Sequence, residues 1–469
     1  MAFIERSLVE RMDTVLISGL LTFTGFWLAT LAIYRIYLSP LSKFPGPKLA
    51  AFTSILHPDK TMKFDIRWDS PGAAQVTGPH ELHRIRRTAL NPFFSKHQVL
   101  LLWPYIREKR DKFCRRVDEY VETKKPLNLS KAFGCFSIDV VTEYAFGQSY
   151  NDLDNEHFFS GLSEVMDELL GRVHVITHLP WILSAVRALP EWVQGLLNPG
   201  MIVVRKYHGI TSDKVRDIKE EKQKGEKMAG HKTILHELLE SDLPSQELSV
   251  KRLSDESNIL VGAGSDTIKH TLEVAAFHIV DNAMIQKTLR EELVAAMPSR
   301  FDELTWAELE KLPYLSVVIQ EALRLSYGIS QRSPRISPKE GLQYKGKLIP
   351  AGFLVSMDAV HMHHNENIFP NSNEFSPERW LEDDGSGSKI ISKRLQRYNI
   401  AFSRGTRQCV GMNLAYAELY LMLSTLFRRY EMQLYETGVD SVELWGDFFL
   451  PKAKPGTEGV RVLMKRLSE

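Results

Sequence analysis

The sequence predicts a mainly α-helical protein with a small β-sheet component, carried behind a single N-terminal transmembrane helix. Three observations give this class. Thr14 to Tyr34 is an uncharged apolar run, several long segments carry apolar residues at helical spacing, and Gly341 to Met357 shows short β-prone runs around turn residues. The chain has 469 residues, 43% of them hydrophobic and 10% aromatic, enough for a large core and unlike a disordered or collagen-like composition.

In chain order, residues 1–13 are an N-terminal tail and residues 14–34 the membrane anchor, because about 20 apolar residues span a bilayer as a helix. A secretory signal peptide has a shorter apolar run, and Arg35, Leu38-Ser39-Pro40 and Lys43 stand where small cleavage-site residues belong. Arg6 and Arg11 precede the span while Arg35, Lys43 and Lys48 follow it, so positive-inside counting places the bulk of the chain in the cytosol. Residues 35–50 read as a stiff hinge, since Phe44-Pro45-Gly46-Pro47 cannot continue a helix.

Residues 51–469 are then expected to form one large domain. Apolar periodicity predicts helices over Leu100–Val121, Ser130–Tyr144, Ser249–Asp281, Leu312–Ser326 and Asn413–Tyr430. The small sheet is expected within Gly341–Met357, around Gly346 and Pro350-Ala351-Gly352. Lys219 to Lys232 is charge-rich and lacks an apolar stripe, so it reads as a solvated loop or a frayed helix end. No solenoid-like repeat is visible.

Lys plus Arg (59) nearly cancels Asp plus Glu (58), which leaves no bulk field for a nucleic-acid partner. Cys114, Cys135 and Cys409 are too far apart for a C-x-x-C pair, and so sparse a set suits a reducing compartment.

Cys409 stands in Phe402-Ser403-Arg404-Gly405-Thr406-Arg407-Gln408-Cys409-Val410-Gly411, directly before an amphipathic helix. A helix start favours a thiolate, glycines at 405 and 411 let the backbone turn close to a flat ligand, and Arg407 suits a ligand carboxylate. A lone cysteine would otherwise read as a small buried hydrophobe. This loop, however, fits F-x-x-G-x-R-x-C-x-G at every fixed position, a match expected by accident on the order of once in 10⁴ sequences. It resembles the haem-ligating signature of the cytochrome P450 family. The resemblance implies a haem whose iron takes Cys409 as axial thiolate, with Phe402, Gly405 and Arg407 forming the cofactor loop. Cys114 and Cys135, on helical stretches, read as packing residues.

Four further segments carry the likeness. Glu321 and Arg324 lie at i and i+3 of one helix, a spacing that alone describes a commonplace surface ion pair. They resemble the family's E-x-x-R, and Pro377-Glu378-Arg379-Trp380 resembles the segment whose Arg379 completes a buried triad holding the haem-binding core. Ala263-Gly264-Ser265-Asp266-Thr267 lies inside a long apolar helix, where the small residues would let the backbone approach a cofactor. A plain helix there would have Thr267 bonding its own backbone and Asp266 reaching water. The family's [AG]-G-x-[DE]-T implies instead an oxygen-binding groove in which Asp266 and Thr267 relay protons. Finally, His83 and Arg87 lie at i and i+4 and resemble the family's donors to haem propionates, while Arg84 and Arg86 are expected to face outward, toward solvent or an acidic electron donor.

These landmarks run in the family's order from Pro45 to the Trp445–Val462 region, and look most like fungal members that tailor terpenoids and other secondary metabolites. The departure is Ala51 to Leu82. Its roughly thirty residues, including the non-periodic pieces His57–Lys63 and Asp65–Gly78, are too few for the helices and strands the family places there. The implied function is a haem-thiolate monooxygenase that inserts one oxygen atom from O2 into a lipophilic small molecule. Electrons would come from NADPH-cytochrome P450 reductase, since no G-x-G-x-x-G fingerprint is present. The implied setting is the endoplasmic reticulum, with membrane lipid around the anchor and the catalytic domain cytosolic. Two alternatives remain: a truncated haem-binding relative without productive turnover, and a haem-thiolate isomerase or dehydratase needing neither O2 nor reductase, for which Asp266 and Thr267 would be dispensable.

Overall fold

The apolar run at the N-terminus does become helical, and earlier than expected. In the computed structural model, which describes residues 2–40, 68–197, 199–224, 232–385 and 389–467, α1 spans Ala2–Ile33 and continues into a π-helical turn at Tyr34–Leu38. The tail 1–13 is thus helical from Ala2. Ile17–Leu38 is long and apolar enough to cross a membrane, and Leu20, Leu21, Phe23, Phe26 and Trp27 all point outward. The hydroxyls of Thr22, Thr24 and Thr30 donate to carbonyls four residues back, which hides them as a hydrocarbon environment requires. The proline hinge at 44–47 lies outside the described residues, as does His57–Lys63.

The described residues fall into two compact units. One combines the N-terminal helix with the strands of Ser333–Met357. There β2 (Ser333–Ile336) pairs antiparallel with β5 (Leu354–Met357), and β3 (Leu342–Tyr344) pairs with β4 (Lys347–Ile349). The β3–β4 connection puts Lys345 and Gly346 at φ 48° and 73°, the left-handed pair that a two-residue hairpin needs. The sheet expected around Gly346 is therefore a hairpin, with the Leu354–Met357 run recruited by an upstream strand.

The second unit holds the remaining elements. Its helices begin with α2 (His80–Leu90), α3 (Lys96–Thr123), α4 (Leu129–Phe146), α5 (Gly161–Gly171) and α6 (Val173–His178). They continue through α7 (Pro180–Arg187), α8 (Glu191–Leu197), α9 (Pro199–Lys224), α10 (Ile234–Glu240) and α11 (Val250–Asp281). Then follow α12 (Ala283–Ala296), α13 (Trp306–Leu309), α14 (Pro313–Ser326), α15 (Ala359–His363), α16 (Lys393–Gln396) and α17 (Met412–Arg429). A three-stranded sheet in the order β1 (Leu127–Asn128), β11 (Arg461–Arg466), β8 (Tyr430–Leu434) and the hairpins β6 (Leu381–Asp383) with β7 (Lys389–Ile391) and β9 (Gly446–Phe448) with β10 (Leu450–Lys452) complete it. The first part of Lys219–Lys232 is the last turn of α9; residues 225–231 lie outside the described ones.

At the centre, α11 packs along α4. The approach is close because Gly264 has no side chain: a Cβ there would lie 2.8 Å from Val141 Cγ2. Gly264 thus serves helix packing on its α4 side. Ser249 caps the start of α11 by accepting from Arg252 N, and Gly147 at φ 72° ends α4.

The described residues that precede α2 are docked on α11. Ser70, Ala73, Ala74 and Thr77 are buried, Gly72 N donates to Asp255 Oδ2 at 2.9 Å and Ala74 N donates to Glu256 Oε2 at 3.0 Å. Arg86 belongs to the same clamp. It is buried, not outward-facing as expected, and makes a two-pronged pair with Glu247 at 2.7 and 3.0 Å plus a bond to Thr77 Oγ1 at 2.8 Å. Glu247 also accepts from Arg252, so it gathers two guanidinium groups; Arg84 is exposed beside Glu81.

Candidate active site around Cys409

The cysteine loop is built by its own backbone. Ser403 and Gly405 turn the chain at φ 58° and 77°, residues Gly405–Arg407 form a 3-10 turn, and Cys409 N donates to Phe402 O at 2.9 Å, closing the loop. The Phe402 ring lies 5.3 Å from Tyr416 of α17, pinning the loop to the helix that follows. Cys409 is exposed, whereas Cys114 and Cys135 are buried. Even so, desolvation by the surrounding protein raises its thiol above the ordinary value, while the Gly411 N–H and the Arg87 guanidinium pull the other way. The cysteine is therefore accessible, with an N–H donor and a cation ready to stabilise its anion.

On α2, His83 is buried and Arg87 donates to Asn91 Oδ1 at 2.7 Å. Burial lowers the Arg87 pKa, opposed by its attraction to Cys409 and Glu256. Arg407 donates to Thr77 O at 2.8 Å and Gly78 O at 3.2 Å, tying the cysteine loop to the segment that precedes α2.

The Glu321 network is fully buried and closed. Both Glu321 oxygens accept from Arg324 at 2.8 Å, Oε1 also accepts from Arg379 Nε at 3.0 Å and Ser376 N at 2.9 Å, and Oε2 accepts from Trp380 Nε1 at 2.8 Å. Arg324 spends its remaining donors on the carbonyls of His363, Ser372 and Glu374, and Arg379 on those of Pro370, Asn371 and Glu374. Glu321, Arg324 and Arg379 come together as expected.

Sequence reasoning missed His363. Its Nδ1 bonds Arg324 O at 2.7 Å and its Nε2 bonds Ile400 N at 2.9 Å. Since Ile400 N can only donate, Nε2 accepts and Nδ1 carries the proton. The ring thus joins the Glu321 network to the strand of chain entering the cysteine loop. Burial holds it neutral, with the pKa lowered to about 3. The cluster His361-Met362-His363-His364 was its one visible signal.

On α11, Thr267 Oγ1 donates to Ala263 O at 2.8 Å, the bond a plain helix would show. Asp266 does not reach water: it is buried and its Oδ2 has no hydrogen-bond partner. Ala263 is exposed and Gly264 and Thr267 are partly so, in a helix otherwise buried along this stretch.

The residues present fit a haem. An accessible thiol with an N–H donor and a guanidinium beside it is the donor set an iron–thiolate bond needs, and Arg87 and Arg407 supply the basic groups that two propionate arms call for. His83, Arg87, Arg407 and Cys409 would hold it.

Comparison with known proteins agrees. The family model described as cytochrome P450 matches residues 50–457. A cytochrome P450 monooxygenase of Ascocoryne sarcoides is 36% identical over 497 aligned positions, covering 93% of this chain and 96% of that protein. A tryptophan 6-hydroxylase of Fusarium equiseti is 33% identical, covering 93% and 94% respectively. An N-acetyltryptophan 6-hydroxylase of Emericella nidulans is 33% identical, covering 95% and 97%. The alignment to the Ascocoryne protein is longer than the whole 469-residue chain, so that relative carries several dozen residues that have no counterpart here. The chain belongs to the cytochrome P450 family of haem-thiolate monooxygenases.

Proposed function

We propose that this chain inserts one oxygen atom of O2 into a lipophilic secondary metabolite, a terpenoid or a compound of similar character, using electrons passed from NADPH by cytochrome P450 reductase. The observation that carries the reading is the accessible Cys409, set in a closed loop with the Gly411 N–H directed at its sulfur. Bound haem supplies the oxygen-activating chemistry, with the thiolate pushing electron density toward O–O cleavage. The chain's own residues do the rest. Asp266 holds a proton-exchanging carboxylate whose Oδ2 is unengaged, and Thr267 Oγ1, turned from Ala263 O, passes a proton into the groove. The tryptophan substrates in the names of two relatives support extending the proposed range to aromatic amino-acid derivatives.

The setting proposed is the endoplasmic reticulum membrane, with the catalytic domain cytosolic. Ile17–Leu38 supports the anchor. Trp181, Trp192 and Leu196 are 65%, 71% and 76% exposed, which fits lipid contact better than pocket lining.

The missing residues support a second reading, haem binding without productive turnover. A dithionite-reduced, carbon-monoxide difference spectrum on membranes carrying the full chain tests both. A strongly red-shifted Soret band, lost in Cys409→Ala, is expected. A histidine-type band, or none, overturns the thiolate reading; a normal band without NADPH-dependent product selects the second.

A further inference from the structure

Asp266 is a buried acid on a core helix, and its two oxygens stand in different surroundings. Oδ2 has no hydrogen-bond partner, while Oδ1 lies 4.0 Å from Lys269 Nζ, one helical turn on. Lys269 is partly buried, with 23% of its side chain exposed. Its stem runs through a slot between α4 and α5, where a Cβ on Gly134 would lie 3.5 Å from Lys269 Cδ and 3.5 Å from Ser163 Oγ. A Cβ there would already be in contact with the lysine stem, so a side chain longer than alanine at 134 would compete with it for the slot.

The charges around the pair are unequal in a way that fixes the lysine. Asp266 faces Lys269 and Glu273 of its own helix, Asp167 of α5 and Lys452 of β10. Lys269 faces these same three acids and Cys135 of α4. Lys452 and Asp167 are in contact with each other, and Glu273 is bonded by His270, so neither acid depends on Lys269 alone. Asp266 has Lys269 as its one ion-pair partner among the described residues, with Lys452 a weaker influence.

We propose that Lys269 is a positioning residue for Asp266, holding Oδ1 along the helix so that Oδ2 is presented, unengaged, for proton transfer. The assignment rests on the reading of Asp266 as a proton-relaying acid. Burial raises the Asp266 pKa and Lys269 is the strongest influence lowering it, so the ammonium also opposes the desolvation of the carboxylate. A mere packing role for Lys269 would be filled equally well by its aliphatic stem, which separates the two explanations.

The test is an infrared titration of the full-length, haem-loaded chain in lipid nanodiscs, following the protonated-carboxyl band that disappears in Asp266→Asn. Lys269→Met keeps the stem and removes the charge; it is expected to move this titration upward by about 1–3 pH units, as loss of an opposite charge at this separation does. Lys269→Arg is expected to return it to the wild-type position. The acid limb of NADPH oxidation in the presence of reductase should shift with the band. An unmoved titration in Lys269→Met overturns the proposal, and so does failure of Lys269→Arg to restore it. Lys269→Gln serves in place of methionine if that variant does not fold. The carbon-monoxide spectrum of the same samples reports the haem reading separately, so the two fail independently.

Discussion

Two buried acids in this protein are treated in opposite ways. Glu321 accepts five hydrogen bonds from Arg324, Arg379, Ser376 and Trp380. Asp266 has one oxygen without a partner and the other 4.0 Å from a lysine. A buried carboxylate is costly unless its lone pairs are met, so a saturated one can be kept for architecture alone. An unsaturated one on a core helix, beside exposed Ala263 and partly accessible Thr267, carries a cost that a chemical role would explain. The contrast teaches which buried charges hold the site and which work in it.

Breaking the saturated side should have the largest effect. Glu321→Ala would leave two guanidinium groups without their shared counter-charge, a loss of about 3–5 kcal/mol. Urea unfolding should show the drop, along with poor haem incorporation; a loss below about 1 kcal/mol, the range of an exposed pair, would erase the contrast. His363→Ala comes next. It frees the buried Arg324 O and Ile400 N, worth about 1–3 kcal/mol for each group left unmet. Its pH signature sharpens the test. The His363 pKa is depressed from 6.5 to about 3, so the neutral ring's stability contribution is complete above pH 6.5 and is lost as pH falls toward 3. His363→Ala should flatten that part of the stability–pH curve. Trp380→Phe removes one donor to Glu321 and should cost about 1 kcal/mol.

On the unsaturated side the stability effects should be smallest. Thr267→Ala removes only a bond to the helix's own Ala263 carbonyl, so the unfolding midpoint should move by no more than about 0.5 kcal/mol. Product formed per NADPH consumed should nevertheless fall. A large stability loss with unchanged coupling would place Thr267 with the architecture.

Much of this was legible because it is local. The helices follow from apolar spacing, and α14 and α17 differ from their expected bounds by about one residue. The Cys409 loop and the Glu321–Arg324 spacing are short patterns in which every member is a near neighbour in sequence. Arg86 was misread for the opposite reason: its partner Glu247 is 161 residues away, and no pattern around Arg86 distinguishes a paired guanidinium from a solvated one. Lys269 and His363 escaped likewise. Their roles depend on a slot left by Gly134 and on a backbone N–H at Ile400.

The sequence by itself determined the class, the apolar N-terminal helix and the family's cysteine motif, since periodicity, length and contiguous motif are properties of neighbouring residues. Only the tertiary structure decided which charges are neutralised and which are left exposed to chemistry. That outcome depends on long-range burial: a carboxylate's surroundings are set by helices and loops distant in sequence, and desolvation has no local signature.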